Sequence, residues 1–354
     1  MANPGVQFQG NQLGFKLSSK ILENLTAKMI TAPENKIVNG DYQGEVAGNF
    51  SVYVLRNNLY DPDASVLGET QAGWYNENGF DVENALEAID LKYLYNKKIE
   101  VPQLLTMSLP TPTVDSYAGQ VADGLARTLD RVTFGVMIGE AMANALANAS
   151  TNAGNIITVD PTSATYGEDL ASALGTAQVQ LDAGMPGKDI TCPAENRFAV
   201  MASEAYQAVI DSGINLNSNI GAQIQAFNKF YQNNIKDFNV FKAVPQILGG
   251  SVARFKDANG AAKSVAVGDG VKAICGHEVA TTRATDYSVG TRIVLSTEES
   301  KTNIIPLYRF GVRCLRPWFI VVICTAAFKS AVQTAYTPST DAGAGTGTDE
   351  GDGA

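Results

Sequence analysis

VDSYAGQVADGLARTLDRVTFGVMIGEAMANALANAS, residues 114–150, carries a long uninterrupted helical pattern. Val114, Ala118, Val121, Leu125, Leu129, Val132 and Val136 recur in steps of three and four, which puts them on one helical face that something must cover. Pro110 and Pro112 are expected to stop any helix from starting earlier, and Thr113 or Asp115 can cap the exposed amides once the prolines end. The Ala- and Met-rich run from Met137 to Ala149 is closed by Thr151, Asn152 and Gly154. At a rise of 1.5 Å, about 36 residues make a rod of roughly 50 Å. Asp123, Arg127, Asp130 and Arg131 are spaced for modest surface pairs. Two readings follow, a long bundle helix or a strut along which a flat, extended subunit is built, and periodicity alone does not choose between them.

The rest of the chain sets bounds on that choice. With 354 residues and 45% apolar content, it can bury a sizeable core, expected as two lobes with several excursions. Residues 1–25 show no basic segment followed by an apolar one, so no signal peptide is expected. Trp318 to Phe328, the most apolar run, is too short to span a membrane. An intracellular site of synthesis is the expectation. Cys192, Cys275, Cys314 and Cys324 have no paired spacing and are expected to be reduced, acting as small apolar residues.

The net charge of −10 is unevenly placed. Tyr60 to Glu100 holds nine acids against three lysines, and Asp341, Asp349, Glu350 and Asp352 follow Lys329 with no base between or after them. The remaining body is close to neutral. An acidic chain lacks the basic stripe that specific nucleic-acid recognition needs.

Ahead of the helix lie a polar arm, Met1 to Gly14, and a short amphipathic stretch, Leu17 to Ile30. Lys36 to Leu55 alternates like a strand, with Phe50, Val52 and Val54 on one face, and Asp81 to Val101 supplies a return, so a long hairpin is predicted. After the helix, Thr165 and Glu168 have capping-box spacing before the stripe Leu170, Leu174, Ala177 and Leu181. Arg197 to Met201 reads as a buried strand, and Ser203 as the cap of a helix over 204–211. Tyr308, Phe310, Val312 and Cys314 alternate strictly with Arg309, Gly311 and Arg313. Beyond Pro317 the strand is apolar on both faces, hence central in its sheet.

The search for chemistry is mostly negative. His277 is the only histidine, and with Cys275 it supplies two ligands, too few for a zinc site. As nucleophile and base the pair is poorly placed, because catalytic partners normally converge from distant sequence, so His277 reads as structural. Gly184, Gly187 and Lys188 are spaced too closely for a phosphate loop, and Asp189 stands where Ser or Thr is needed. Asp61, Asp63, Ser65 and Glu69 lack the central glycine of a calcium loop, and Pro62 intrudes, which leaves a solvated acidic loop. Arg309, Arg313 and Arg316 could touch phosphate, but pairing with Glu298 and Glu299 on a neighbouring strand is simpler. No catalytic, cofactor-binding or metal-binding residue is assigned.

Taken together, the order of these patterns resembles the major capsid proteins of tailed phages, whose shared architecture is the Hong Kong 97 fold. The resemblance covers Lys36 to Thr325 and rests on order rather than signature residues. It runs through an amino-terminal arm (1–36), an extended hairpin loop (37–110) and a spine helix of a peripheral domain (111–159) containing "SYAGQVADGLARTLDRVTFGVMIGEA". An axial domain (160–272) follows with "LASALGTAQVQLDAGMPGKDITCPAENRFAVMASEAYQAVI". The peripheral domain closes (273–328) with "YRFGVRCLRPWFIVVICT", and a flexible acidic tail (329–354) ends the chain.

What the resemblance implies is an α+β structural protein, not an enzyme and without cofactors, that self-assembles as pentamers and hexamers into an icosahedral head shell around a genome. It implies a place in the virion after synthesis in the host cytoplasm, with no membrane partner. Further partners would be a separate scaffolding protein, since no charged helical scaffolding segment is seen, together with portal and decoration proteins and DNA held without sequence specificity. Two alternatives stand beside it: an encapsulin-like nanocompartment shell of the same fold, and a cysteine-dependent hydrolase using Cys275 and His277.

Overall fold

The computed structural model of the chain describes residues 20–21, 24–25, 28–40, 51–57, 84–96, 99–102, 111–148, 155–184, 191–212, 231–235, 238–285, 290–296 and 301–337. Everything is arranged around helix α1, Thr111–Ala147, whose 37 residues span about 55 Å at the usual rise. It starts one residue before Pro112, which sits in the first turn, where a missing N–H costs nothing because that amide has no intrahelical acceptor. Ala118, Val121, Leu125, Leu129, Val132 and Val136 are all buried, as their spacing predicts. Between residues 132 and 139 the helix is buried on every side, so its middle is a core element and only its ends are amphipathic.

Two sheets flank it. In the first, the order is β5 (Ile156–Thr158), β15 (Ile320–Cys324), β11 (Val271–His277), β6 (Arg197–Ala202), β8 (Phe238–Ala243) and β7 (Tyr231–Ile235). Pairing is parallel for β5 with β15 and for β6 with β8, and antiparallel elsewhere. Every residue of β11 and β15 is buried, which is why β15 reads as apolar on both faces. The sheet runs across residue 272, so β11 and β15 share it with β6 and β8 rather than joining the other closing strands. Helices α2 (Tyr166–Ala183) and α3 (Ser203–Asp211) pack on each other and on this sheet, with Leu170, Leu174, Ala177 and Leu181 fully buried.

The second sheet is organised by β14, Lys301–Cys314. One edge pairs with β4 (Ile99–Pro102) and β3 (Tyr93–Asn96), the other with β13 (Gly290–Ser296) and β12 (Thr281–Thr285). Tyr308, Phe310, Val312 and Cys314 are buried, as the alternation requires. The apolar stretch from 304 to 323 is not one strand. Leu315 and Arg316 donate to the Ala280 carbonyl at 2.8 and 3.1 Å, Pro317–Phe319 form a 3-10 turn, and the chain leaves for the other sheet.

Against α1 runs the small hairpin of β9 (Val252–Lys256) and β10 (Ala262–Ala266), with β9 on the helix. A Cβ on Gly135 would collide with the Val252 carbonyl, and one on Gly139 with that of Arg254. Helix and strand therefore approach to backbone distance, which only glycine permits.

Three local expectations are corrected. Thr165 makes no capping bond to α2; its hydroxyl and that of Ser163 instead bond the Asp169 carboxylate at 3.1 and 3.0 Å. Ser203 is the first residue of α3, and its hydroxyl donates to the Ala243 carbonyl of the neighbouring β8 at 2.9 Å. Residues 329–336, expected in a flexible tail, continue helix α4, Ala326–Tyr336. Its cap is Thr325, and its buried anchors are Phe328 and Val332, four residues apart on one face.

Candidate functional site

Two features stand out: a latch that ties the amino-terminal arm to α1, and a hairpin that lies outside the main core. The latch is built on Asp130. Its position beside Arg127 and Arg131 predicts a surface pair, and only the Asp123–Arg127 pair, at 2.7 Å and exposed on both sides, fits that reading. Asp130 is fully buried. Its carboxylate accepts from the Ile30 amide (3.0 Å), the Thr31 amide (3.0 Å) and the Thr31 hydroxyl (2.6 Å). That hydroxyl in turn accepts from Arg283 Nη1 of β12 at 2.8 Å. A single threonine thus links the arm, the spine and the β14 sheet.

Burial sets the electrostatics of the latch. Loss of water pushes the Asp130 carboxyl above its usual range, against the bonds from Thr31 and Ile30 and the Arg283 charge, which pull it down. The same desolvation lowers the affinity of the Arg283 guanidinium for its proton, opposed by Tyr308 and Asp130. The arm is stitched further by Lys28 Nζ to the Gly119 carbonyl of α1 at 2.6 Å and by Asn39, which bridges in parallel to Thr282 of β12. Ile21, Leu25, Met29, Ile30, Ile37 and Val38 are buried with α1 in the main core. Sequence reasoning missed the latch because its partners are about a hundred positions apart.

The hairpin is β1 (Ser51–Asn57) paired with β2 (Asn84–Asp90), antiparallel from Ser51 opposite Asp90 to Asn57 opposite Asn84. The predicted return strand is in place, and Val52 is buried; Phe50 and the rest of the 41–50 stretch lie outside the described residues. These strands form a two-stranded sheet of their own. Its base rests on a small separate cluster of Val52, Ile89 and Leu91 with Ala284 and Leu315, where β14 offers Gly311, a position whose Cβ would strike the Asp90 carbonyl.

Cys275 and His277 do not make a catalytic pair. They sit two positions apart on β11, about 7 Å along an extended strand. The Cys275 thiol is completely buried, and desolvation pushes its proton affinity far up, so the thiolate needed for attack is disfavoured. His277, also buried, accepts from the Val279 amide through Nδ1 at 3.2 Å, and burial lowers its proton affinity. It caps a 3-10 turn. All four cysteines are buried, and none is in a disulfide.

Gly184 ends α2 with φ 66°, while Gly187, Lys188 and Asp189 lie outside the described residues, as do Asp61, Pro62, Asp63, Ser65, Glu69, Glu298 and Glu299. Arg309, Arg313 and Arg316 are each half-buried on or just after β14. Among the described residues no group of three His, Cys, Asp or Glu side chains could hold a metal ion. No helix among them is long and apolar enough to cross a membrane.

No family model matches the chain, and no curated protein matches it. Solved structures do. The asymmetric unit of the bacteriophage PhiM1 mature capsid matches with TM-score 0.53 at 12% identity, covering 80% of this chain and 84% of that one. The capsid of cyanophage P-SCSP1u matches with TM-score 0.51 at 16% identity, over 82% and 86%. That of Ralstonia phage GP4 gives 0.50 at 11%, over 84% and 89%. Identities this low speak for the backbone alone, and the backbone agrees along most of both partners: the chain has the α+β Hong Kong 97-type fold of phage capsid subunits.

Proposed function

We propose that the chain is the structural subunit of a tailed-phage head, assembling with copies of itself as pentamers and hexamers into the icosahedral shell that encloses the genome. The observation that carries this reading is the extent of the fold match, which takes in more than four fifths of each capsid chain named above. An arm latched along the spine and a hairpin with little core of its own suit a subunit whose remaining burial comes from neighbours. In this reading α1 with the β14 sheet forms the peripheral domain, and the six-stranded sheet with α2 and α3 the axial one. Its place is the virion after synthesis in the host cytoplasm, its partners scaffolding, portal and decoration proteins, and it meets packaged DNA without sequence specificity, as a chain of net charge −10 should.

The test is assembly. Purified protein, alone at high concentration or with a co-expressed scaffold, should elute from gel filtration at megadalton size and show closed shells or capsomers by negative-stain microscopy. A protein that stays monomeric under all these conditions would end the proposal.

A further inference from the structure

We propose that Gly311 of β14 is the seat that sets the direction in which the β1–β2 hairpin leaves the subunit, and that this direction governs whether subunits close into a shell. The link to closure rests on the capsid reading; the seat itself does not. The hairpin joins the body through a tight turn, in which the Lys92 amide donates to the Asp90 carbonyl at 2.9 Å across Leu91. From Tyr93 onward the chain is held in β3, with Tyr93 paired opposite Phe310 of β14.

That same Asp90 carbonyl lies on Gly311. A Cβ there would stand 3.0 Å from the carbonyl carbon and 3.0 Å from Ile89 Cγ2, and closer still to the carbonyl oxygen. Gly311 is buried and sits opposite Ala284 of β12, itself fully buried in the cluster under the hairpin. Directly opposed residues of an antiparallel pair share one face of the sheet. Gly311 and Ala284 therefore make a shallow floor, and Ile89 with Val52 and Leu91 rests at this place.

Which partner would yield to a side chain at 311 follows from how each is held. Strand β14 is paired along both edges, with β12 and β13 on one and β3 and β4 on the other, and α1 packs against it. The hairpin has its own ladder and the five-residue cluster at its base. The hairpin is the softer of the two, so it is the part that moves. Carbon atoms pack at about 3.5–4.0 Å, which requires the Asp90 carbonyl to rise by about 0.5–1 Å. The ladder from Asp90 to Asn84 is about 20 Å long, so with the chain anchored at Tyr93 its far end swings by roughly 2–3 Å. Contacts packed as densely as a protein interior do not absorb a displacement of that size.

Spin labels at Asn57→Cys, on the far end of the ladder, and Gln120→Cys, on the exposed side of α1, report the hairpin's direction in the unassembled full chain by double electron–electron resonance. The four native cysteines are buried away from the label. Gly311→Ala should shift the mean distance by about 2–3 Å, while hydrogen-exchange protection of α1 and of both hairpin strands stays as in the intact protein. Ala284→Val, which thickens the same floor from β12, should shift it too and carries the test if Gly311→Ala does not fold. Gly119→Ala, where an added Cβ meets only Lys28 Nζ at 3.9 Å, should leave the distance unchanged. Without labels, both seat variants should give shells of altered diameter or unclosed sheets by electron microscopy. An unchanged distance in the seat variants, or protection lost from the ladder or α1 in both, overturns the seat. A shifted distance with shells of normal diameter overturns the link to closure. Absence of shells from the intact protein overturns the capsid reading and that link together, and the distance still decides the seat.

Discussion

The six-stranded sheet and the β1–β2 hairpin are both antiparallel in large part, yet they are stabilised in opposite ways. In the sheet, β11 and β15 are buried along their whole length and covered by helices whose apolar stripes face them. In the hairpin, two seven-residue strands pair with each other and rest on a five-residue cluster at the base. A two-stranded ribbon of this kind is marginal in water by itself. The contrast separates a part stabilised by its own core from a part that has little core of its own.

The largest effect should come from shortening the hairpin. Asn57 and Asn84 are paired at the end of the ladder, so replacing residues 58–83 with Asn-Gly gives a two-residue turn of the favoured hairpin type. The shortened subunit should keep the melting temperature of the intact one and lose shell formation altogether by electron microscopy. Normal shells from it would show that the hairpin is not an assembly element.

Breaking the latch tests the folded side of the comparison. Asp130→Ala leaves the Ile30 and Thr31 amides and the Thr31 hydroxyl buried without their acceptor and takes a negative charge away from the buried Arg283 guanidinium, and removing one partner of such a buried set costs about 3–5 kcal/mol. Chemical denaturation of the unassembled subunit should register that loss, with the arm becoming accessible to limited proteolysis. A change under about 1 kcal/mol would mean that the arm is held by its apolar contacts alone.

The smallest effect belongs to the surface of α1. Arg127→Ala removes the exposed ion pair with Asp123, and such pairs contribute about 0–1 kcal/mol. Stability and assembly should match the intact protein within error in the same denaturation and gel-filtration measurements. A large loss would place Arg127 in a contact between subunits.

Much of this was legible in the sequence, for a physical reason that can be stated residue by residue. Helix α1, the α2 stripe at Leu170, Leu174, Ala177 and Leu181, and the alternation from Tyr308 to Cys314 are local periodicities, and burial follows them. What escaped was non-local or a matter of competition for a hydroxyl. Asp130 stands three residues from Arg127, a helical-neighbour spacing like the four that separate Asp123 from the same arginine, and nothing local says that it meets Thr31 instead. Thr165 and Ser203 have the sequence of helix caps, but Asp169 and the Ala243 carbonyl claim their oxygens. The break at residues 315–319, which sends β15 into a different sheet from β14, is marked only by Pro317.

The glycine contacts of α1 have a mechanical side. Gly135 and Gly139 are four residues apart, about 6 Å along the helix, while Val252 and Arg254 are two apart, about 6.7 Å along the strand. The two rulers are nearly commensurate, so the carbonyls of β9 sit against successive notches in the rod. Sliding the strand by part of a repeat would drive a carbonyl into the helix between notches. A rod and ribbon engaged in this way resist shear along their common direction, as a rack resists slipping against its pinion.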